Sequence, residues 1–367
     1  MGEKKRIRSW FMKNIILPNN EIIDKPGYIV YRFGSKKKNC YLREVLMPES
    51  MLAGIETAFA EKYGKEGRKA VYVAGKMWGY RFAATSALPK RGSMPDEALL
   101  EVIEAIMRLL ESEYSSKVEY RVDLAKSELE FAAKDLLVCK ESGLGDFLTG
   151  TLNGTWEYMM GVQTEGVKLA CQKRGEKCVI LCAPPESHKK GIAHVVKVPP
   201  GLGLEAEYFL MNQPKRAHYA KNSLRDLLEN RVIAYEGGFF RYGKSRLVLN
   251  EASSVYFLET VLEKLKGGER LLFEVAFKHC RRCVPGGASS ENFLTDILPP
   301  FGWGDIHFDG SKAVCFGYPW TRYHRETTFP LMRGMVSGIL SAGPRDVELK
   351  NSEPVISRGS LDLMLRS

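Results

Sequence analysis

The feature that most constrains the fold of this sequence is an internal repeat. Residues 55–79 read IETAFAEKYGKEGRKAVYVAGKMWG, and residues 258–280 read LETVLEKLKGGERLLFEVAFKHC. The triplet Ile-Glu-Thr that opens the first segment matches Leu-Glu-Thr in the second. After a one-residue gap, Gly-Arg in the first segment aligns with Glu-Arg in the second, and Ala-Gly-Lys aligns with Ala-Phe-Lys. Self-similarity in the same order along a chain is typical of a repeated folding unit. The sequence therefore predicts two copies of one module.

Each copy is predicted to follow the order strand–helix–helix–strand–helix–strand. This order favours an α+β fold in which each module is a mostly antiparallel sheet packed against helices. A chain of 367 residues is long for one core, which also favours two domains. The predicted boundaries are 1–187 for the first module, 188–235 for a linker or the start of the second module, and 236–367 for the second, diverged module.

The two copies are predicted to differ after their helix pairs. The first copy continues with a helix over residues 93–114, for which Ser93 is the predicted N-cap. The second copy instead carries a Gly/Pro-rich, aromatic segment from Pro285 to Trp303, which predicts a loop.

Residues 154–182 combine a helical pattern with two cysteines on either side of a basic turn. Residues from Trp156 to Ala170 recur every three or four positions along one stripe, which predicts a helix that ends at Cys171. Cys178 then opens the apolar run of a strand. Two cysteines that face each other across such a turn either clamp a metal ion or pack as small apolar side chains.

Composition and chain ends predict a cytoplasmic protein. No apolar run reaches the roughly 20 residues that a membrane span needs. The N-terminal residues are charged but are not followed by the apolar segment of a secretory signal. We therefore expect eight reduced cysteines and no membrane span.

The net charge of +10 is compatible with an anionic partner. Lys36, Lys37 and Lys38 lie between two strand-like segments, so they predict either a solvated hairpin loop or a nucleic-acid contact. No zinc-finger spacing, RNP-like aromatic strand or helix-turn-helix pattern accompanies them. The sequence therefore does not favour a nucleic-acid partner.

Two segments carry a resemblance to the 4-vinyl-reductase domain family. Residues 61–83 resemble the early helices of that family, which commonly have a glycine after one helix and an x-x-G-x-x-x-G pattern in the next, here Gly75 and Gly79. Residues 161–182 are similar to the closing motif of the family, a helix followed by Cys, a glycine-containing turn, Cys and a strand. The resemblance covers most of residues 40–183.

A fainter resemblance to the same family extends over residues 240–350. The resemblance implies small α/β domains that bind small hydrophobic molecules. Relatives include sensor domains of aromatic-responsive bacterial regulators, a bacteriochlorophyll-synthesis protein and small subunits of vesicle-tethering complexes.

The resemblance also implies a structural zinc. In the sensor domains the metal is held by a Cys before the last helix, an acidic residue and the two Cys around the turn; the matching thiols here are Cys139, Cys171 and Cys178. The acidic position lies about one turn before the first turn cysteine, where this chain has Lys168, and the nearest acidic residue is Glu165. The predicted ligands are therefore the three thiols and Glu165, with buried packing of the thiols as the alternative.

Aromatic and methionine residues that could line a cavity between helices and sheet are the predicted ligand contacts. They are Trp78, Phe82, Trp156, Met159 and Met160. Pockets for small molecules are mostly apolar with few polar anchors, although a stripe at helical spacing is also the pattern of plain core.

Two further motifs predict no site. The pair Cys280 and Cys283 is a lone Cys-x-x-Cys, for which packing is the plainer interpretation. The polar cluster from Tyr323 to Glu326 precedes a predicted helix and fits a helix N-terminal surface.

The leading functional hypothesis is a non-catalytic binding or sensing protein for a small hydrophobic or aromatic molecule. No nicotinamide or flavin motif is found, and no histidine lies beside the thiols in a nucleophile arrangement, so no catalytic residue is predicted. An accessory protein or reductase in tetrapyrrole-type metabolism is the first alternative. An interaction scaffold for an acidic or nucleic-acid partner is the second. The second module would serve pairing or contact with a protein partner, and homo-oligomers are compatible with each hypothesis.

Overall fold

The computed structural model describes most of the chain in several stretches. They are residues 21–35, 38–171, 177–188, 195–198, 219–236, 239–285, 288–317, 327–343, 346–357 and 360–365. The predicted linker, the turn between Cys171 and Cys178, the middle of the Lys36–Lys38 run and the cluster at 323–326 lie largely or wholly outside these residues.

The first half of the described chain contains seven strands and five helices. The strands are β1 (Glu21–Lys25), β2 (Tyr28–Ser35), β3 (Lys38–Pro48), β4 (Lys117–Asp123), β5 (Glu128–Lys134), β6 (Glu165–Ala170) and β7 (Cys178–Ala183). The helices are α1 (Glu49–Tyr63), α2 (Lys65–Thr85), α3 (Asp96–Tyr114), α4 (Cys139–Ser142) and α5 (Asp146–Met160).

The second half of the described chain also contains seven strands and five helices. The strands are β8 (Ile233–Glu236), β9 (Phe239–Tyr242), β10 (Ser245–Glu251), β11 (Asp305–Phe308), β12 (Lys312–Phe316), β13 (Leu349–Ser357) and β14 (Ser360–Leu365). The helices are α6 (Leu224–Glu229), α7 (Ser253–Leu262), α8 (Gly268–Cys283), α9 (Ser290–Asp296) and α10 (Pro330–Leu340).

The strands form three sheets, and every pairing between them is antiparallel. One four-stranded sheet has the order β4-β5-β7-β6, and the other has the order β11-β12-β14-β13. The remaining strands form a six-stranded sheet of order β1-β2-β3-β10-β9-β8. The predicted α+β class with antiparallel sheets packed against helices is therefore confirmed.

The six-stranded sheet joins the two halves. The sequence predicts that the strand before each helix pair belongs to the sheet of its own module, but β3 and β10 pair with each other, with Leu46 opposite Leu249. Pairing hides what would otherwise be an exposed edge on each half. Helix α1 also packs on α8, and α2 packs on α7, so the contacts between the halves are reciprocal.

Among the described elements, the order after β3 matches the order after β10 apart from the short helix α4. In each half a helix pair and a further helix precede the four-stranded sheet, and α5 or α10 connects the second strand of that sheet to the third. Both four-stranded sheets place their first strand at one edge and their third at the other.

The helix predicted to end at Cys171 ends earlier. Helix α5 stops at Met160, where Gly161 adopts a left-handed conformation with φ of 68° and its N–H bonds to the carbonyl of Glu157. Such a glycine is a common C-terminal stop signal. Residues 165–170 form strand β6, so the cysteines flank a β-hairpin instead of a helix–strand turn.

Two predictions about the segments after the helix pairs are also wrong. Helix α3 begins at Asp96 after Pro95, and the hydroxyl of Ser93 bonds instead to the carbonyl of Lys90. The segment predicted as a loop in the second half contains helix α9, whose N-cap Ser289 accepts a hydrogen bond from the N–H of Asn292. No helix in the described part of the chain has the length and apolar character needed to cross a membrane.

Candidate functional site

Helices α2 and α5 cross in backbone contact, and this crossing fixes the candidate site. Glycines Gly75 and Gly79 of α2 face α5, while Gly150 and Gly154 of α5 face α2. A Cβ atom added at any of the four would lie 2.0–2.1 Å from a backbone carbonyl oxygen of the opposite helix. Only glycine allows so close an approach, so the x-x-G-x-x-x-G pattern of α2 has a packing role.

The predicted ligand contacts lie on α2 and α5; we call them the aromatic–methionine layer and define it as Trp78, Phe82, Trp156, Met159 and Met160. Trp78 stacks on Phe147 with ring centroids 5.6 Å apart. Trp156, Met159 and Met160 are buried in the same core, and Phe82 is half-buried. The indole nitrogen of Trp156 donates a 2.8 Å hydrogen bond to the carbonyl of Ser127.

Two buried polar atoms lie where α2 and α5 end. Within the described residues, Oγ1 of Thr85 and Nε2 of Gln163 are buried without a hydrogen-bond partner. Thr85 ends α2, and Gln163 follows the end of α5 three residues after Met160. The loop after α2 contacts the end of α5, because the N–H of Arg91 bonds to the carbonyl of Met159 at 2.7 Å. Such unsatisfied groups are rare in proteins and call for an explanation.

A buried ion network lies on the same helix pair. Lys76 is fully buried, and its Nζ lies 3.0 Å from Oε1 of Glu165 and 2.9 Å from Oε2 of Glu157. The same Nζ also donates to the carbonyls of Thr164 and Val196 at 2.8 and 2.7 Å. Three ammonium protons are thus shared among four oxygens, so this lysine has no lone pair with which to act as a nucleophile.

Burial shapes the protonation of the groups around Lys76. Burial raises the pKa of Glu157, against the lowering effect of its bond to Lys76. Burial and the neighbouring Glu165 carboxylate raise the pKa of Tyr72, whose hydroxyl donates to Glu165 at 2.6 Å. The network therefore contains a neutral phenol and ion-paired carboxylates, which suits positioning of β6 on the helices.

A second buried ion pair joins the two halves. The Nη1 of Arg81 lies 2.7 Å from Oε2 of Glu251, and both side chains are buried. The hydroxyl of Ser253 bonds to both groups, and the indole nitrogen of Trp78 donates to Glu251 at 3.3 Å. One tryptophan of the aromatic–methionine layer is thereby oriented by the second half of the chain.

The structure brings the predicted zinc thiols together but not Glu165. The thiol of Cys178 is hydrogen-bonded to that of Cys139, and this bond and burial raise the pKa of Cys178. The Sγ of Cys171 donates to the carbonyl of Gly143 at 3.1 Å. Glu165 begins β6 and Cys171 follows its end, so six residues of extended chain, roughly 20 Å, separate them.

An ammonium group lies beside these thiols instead of a carboxylate. The Nζ of Lys168 donates to the carbonyl of Gly143 at 2.6 Å and to that of Leu144. It is close enough to Cys178 to favour the thiolate of that residue. Within the described residues no group of three or more His, Cys, Asp or Glu side chains could hold a metal ion. Among the described residues, the predicted four-ligand set is therefore incomplete.

One glutamate in each half caps the helix that connects two strands of the four-stranded sheet. Glu56 accepts hydrogen bonds from the N–H groups of Gly145 and Phe147 at the start of α5. Glu259 accepts one from the N–H of Leu331 at the start of α10. Both carboxylates are fully buried, which raises the pKa of Glu56 to about 7 and that of Glu259 as well.

The Cys-x-x-Cys segment forms an uncharged chain of contacts. The Sγ of Cys283 and Nε2 of His279 are 3.4 Å apart, and Nδ1 of His279 is 3.4 Å from the hydroxyl of Ser50. Burial lowers the pKa of His279 to about 4 and raises that of Cys283 to about 11. Cys280 is buried, and its pKa is raised by burial too. Protonated thiols beside a neutral imidazole lack the thiolate that a nucleophile needs.

An open crevice of about 430 Å³ lies between the halves. Apart from Phe239 its lining is charged, and it includes the ion pair of Arg246 and Glu49. A hydrophobic molecule would find few apolar contacts there.

Sequence reasoning missed several buried charges, among them Lys76, Arg81, Glu56 and Glu259. A charged residue inside an amphipathic helix reads as solvent-exposed unless its partner is known. The signal that could have found two of them was the repeat itself, because Glu56 and Glu259 occupy matching places in the Ile-Glu-Thr and Leu-Glu-Thr triplets.

Comparison with known proteins gives similarity to solved structures. No family model matches the chain, and no curated protein matches it. Among solved structures, the chain is similar to the phenol-responsive sensory domain of the transcription activator PoxR, determined with phenol, at 18% sequence identity and a TM-score of 0.34. The similarity covers 44% of this chain and 88% of that domain. At these values no ligand and no site residue is transferred from it.

Proposed function

We propose that this chain is a non-catalytic binding or sensing protein for a small hydrophobic or aromatic molecule that enters the aromatic–methionine layer. The observation that carries the proposal is that one polar atom on Thr85 and one on Gln163 are buried without a hydrogen-bond partner, at the ends of the two helices that carry this layer. A ligand with one hydroxyl or carbonyl group would satisfy them while its apolar part displaces core contacts.

The side chains of the layer suit such a molecule. Met159 and Met160 are flexible and polarisable, so they can repack around a ligand at low cost. Trp78 and Trp156 present aromatic faces, while their N–H groups are already bonded to Glu251 and Ser127. The polar group of the ligand would therefore meet Thr85 and Gln163 and not compete for the indoles.

The chemistry of the other clusters supports binding over catalysis. Lys76 is saturated by four oxygens, and the thiols of Cys178, Cys280 and Cys283 are held protonated by burial and hydrogen bonds. A nucleophile or general base needs a group that can give or take a proton at the site.

We also propose that the two halves are diverged copies of one module, with boundaries near those predicted, and that the second copy serves pairing. The shared strand order of the four-stranded sheets supports this proposal. So does the matching of Glu56 with Glu259, since each caps the helix that connects two strands of its sheet. The pairing of β3 with β10 would then take the place, within one chain, of the contact that two separate copies of the module would make in a dimer.

A thermal-shift experiment with two matched probes tests the function. Benzyl alcohol and toluene share a ring, but only the alcohol can bond to Thr85. A ligand at 100 times its Kd stabilises the folded chain by about 2.7 kcal/mol. We expect benzyl alcohol to raise Tm in a dose-dependent manner and toluene to do so less at equal concentration.

A pair of threonine variants locates the effect. Thr85→Val should remove the advantage of benzyl alcohol over toluene, because the hydroxyl is lost while the shape is kept. Thr151→Val is the control, since its hydroxyl is bonded within α5 to the carbonyl of Phe147. If neither probe raises Tm, or if both variants respond as wild type does, the proposed site is wrong.

A further inference from the structure

The thiol cluster of the first half holds three segments together. Cys139 begins α4, Cys171 follows β6, and Cys178 begins β7. Cys139 and Cys178 are buried, whereas Cys171 is half-buried. Their contacts join the turn between α4 and α5 to the hairpin that forms one edge of the sheet.

Lys168 contributes the strongest polar contacts to this cluster. It lies on β6 three residues before Cys171, and its ammonium group binds the carbonyls of Gly143 and Leu144. Gly143 accepts from Cys171 as well, so one carbonyl oxygen links both side chains of the strand end to the α4–α5 turn. Hydrogen bonds from a charged donor are about twice as strong as neutral ones.

The same ammonium group opposes a metal ion. A zinc site with three thiolates requires the thiols to lose their protons around a doubly charged cation. A fixed positive charge beside Cys178 would repel that cation, and the predicted fourth ligand, Glu165, is bound by Lys76 and Tyr72.

We propose that Lys168 takes the place of a metal ion in this cluster. Its ammonium group ties the α4–α5 turn to the β6–β7 hairpin, and the first half folds without zinc. A single covalently attached cation thus replaces an exchangeable one, and the fold does not depend on metal supply.

Metal analysis of the full-length chain gives the first test. We expect the purified protein to contain no stoichiometric metal, and its Tm to be unchanged by EDTA or by added zinc chloride. One zinc per chain, or a Tm that falls in EDTA, would overturn the proposal.

Two lysine variants test the tie itself. Lys168→Met keeps the length of the side chain but removes two charge-assisted bonds, so Tm should fall by roughly 5 °C. Lys126→Met is the control, because Lys126 is exposed and its ammonium lies 3.4 Å from Asp123 in a turn. Equal Tm values for the two variants would show that Lys168 does not hold the cluster.

A charge reversal supplies a positive readout. Lys168→Glu replaces the ammonium with a carboxylate, which adds an oxygen donor near the predicted zinc ligands Cys139, Cys171 and Cys178. We expect this variant to take up one zinc per chain and to gain stability from zinc chloride. A folded Lys168→Glu chain that binds no zinc would show that the ammonium does not occupy a metal position.

Discussion

The crossing of α2 and α5 allows one prediction to be worked out in detail. In Gly79→Ala the new Cβ would lie 2.1 Å from the carbonyl oxygen of Thr151 and 2.9 Å from its Cα. Every atom in its way belongs to the backbone of α5, so no side chain can rotate to make room. The helices would have to separate by about 1 Å to restore normal van der Waals contact.

The magnitude follows from two opposing effects. Overpacking of a core costs about 1–3 kcal/mol, and a clash with backbone belongs at the upper end of that range. Alanine recovers up to about 1 kcal/mol because it forms helices more readily than glycine does. We therefore expect Gly79→Ala to lower the free energy of unfolding by about 2 kcal/mol.

Urea unfolding followed by far-UV circular dichroism measures this difference. Gly343→Ala is the matched control, since a Cβ there meets no atom within 4 Å, and its effect should stay within about 0.5 kcal/mol. Gly338→Ala in α10 should behave like Gly79→Ala, because its Cβ would lie 2.4 Å from the carbonyl oxygen of Phe277. A Gly79→Ala variant as stable as wild type or more stable would refute the close crossing.

Three further changes test other parts of the structure. The pKa of Glu56 is raised from 4.5 to about 7, mainly by burial and secondly by Asp146, so the stability it contributes is present below pH 4.5 and is lost as the pH rises through about 7. The free energy of unfolding, measured with urea, should therefore fall between pH 5 and 8 by up to about 3 kcal/mol in wild type and by less in Glu56→Gln; a free energy that rises with pH in wild type alone would contradict this. Arg81→Met leaves the carboxylate of Glu251 buried without its counter-ion and should cost about 3–5 kcal/mol in thermal or urea unfolding, whereas Arg108→Met on an exposed helix face should cost less than about 1 kcal/mol. Trp156→Phe loses the bond to the carbonyl of Ser127 and should destabilise the chain by about 1–3 kcal/mol; an unchanged urea midpoint would show that this bond is not formed.

The sequence predicted the fold class because its patterns are local. The spacing of apolar residues and the turn residues predicted the helix pairs and the hairpin of β2 and β3. In that hairpin Ser35 pairs with Lys38. The α+β class follows from the order of such elements. The pairing of β3 with β10 was not predictable in the same way, because strand pairing between distant segments leaves no local pattern.

The stretch from Gln163 to Ala170 shows how a helical spacing of apolar residues can mislead a secondary-structure prediction. Its apolar residues fit a helix stripe, yet Gly161 ends α5 and Gly166 weakens any helix that would follow. The hairpin pairs Val167 with Leu181, so pairing with β7 determines the structure of this stretch. Giving the two glycines more weight than the helical spacing of the apolar residues would have predicted the strand correctly.

The candidate site was predicted in part. The sequence identifies candidate residues but does not show their hydrogen-bond and ion-pair partners. The five aromatic and methionine residues lie on two packed helices, as the helical spacing predicted, whereas Lys76 was missed because its counter-ions lie some 80–90 residues away on α5 and β6. Burial of a lysine depends on those partners and not on the helix that carries it.

Methionine-methyl NMR of the full chain with benzyl alcohol tests the central claim most directly. Met159 and Met160 lie in the aromatic–methionine layer, while Met332 and Met335 are buried at α10 in the second half and serve as internal controls. Binding in the layer predicts saturable shifts of the methyl signals of Met159 and Met160 and none at the two controls. Shifts confined to Met332 and Met335, or no saturable shift at Met159 and Met160, would contradict the proposed site.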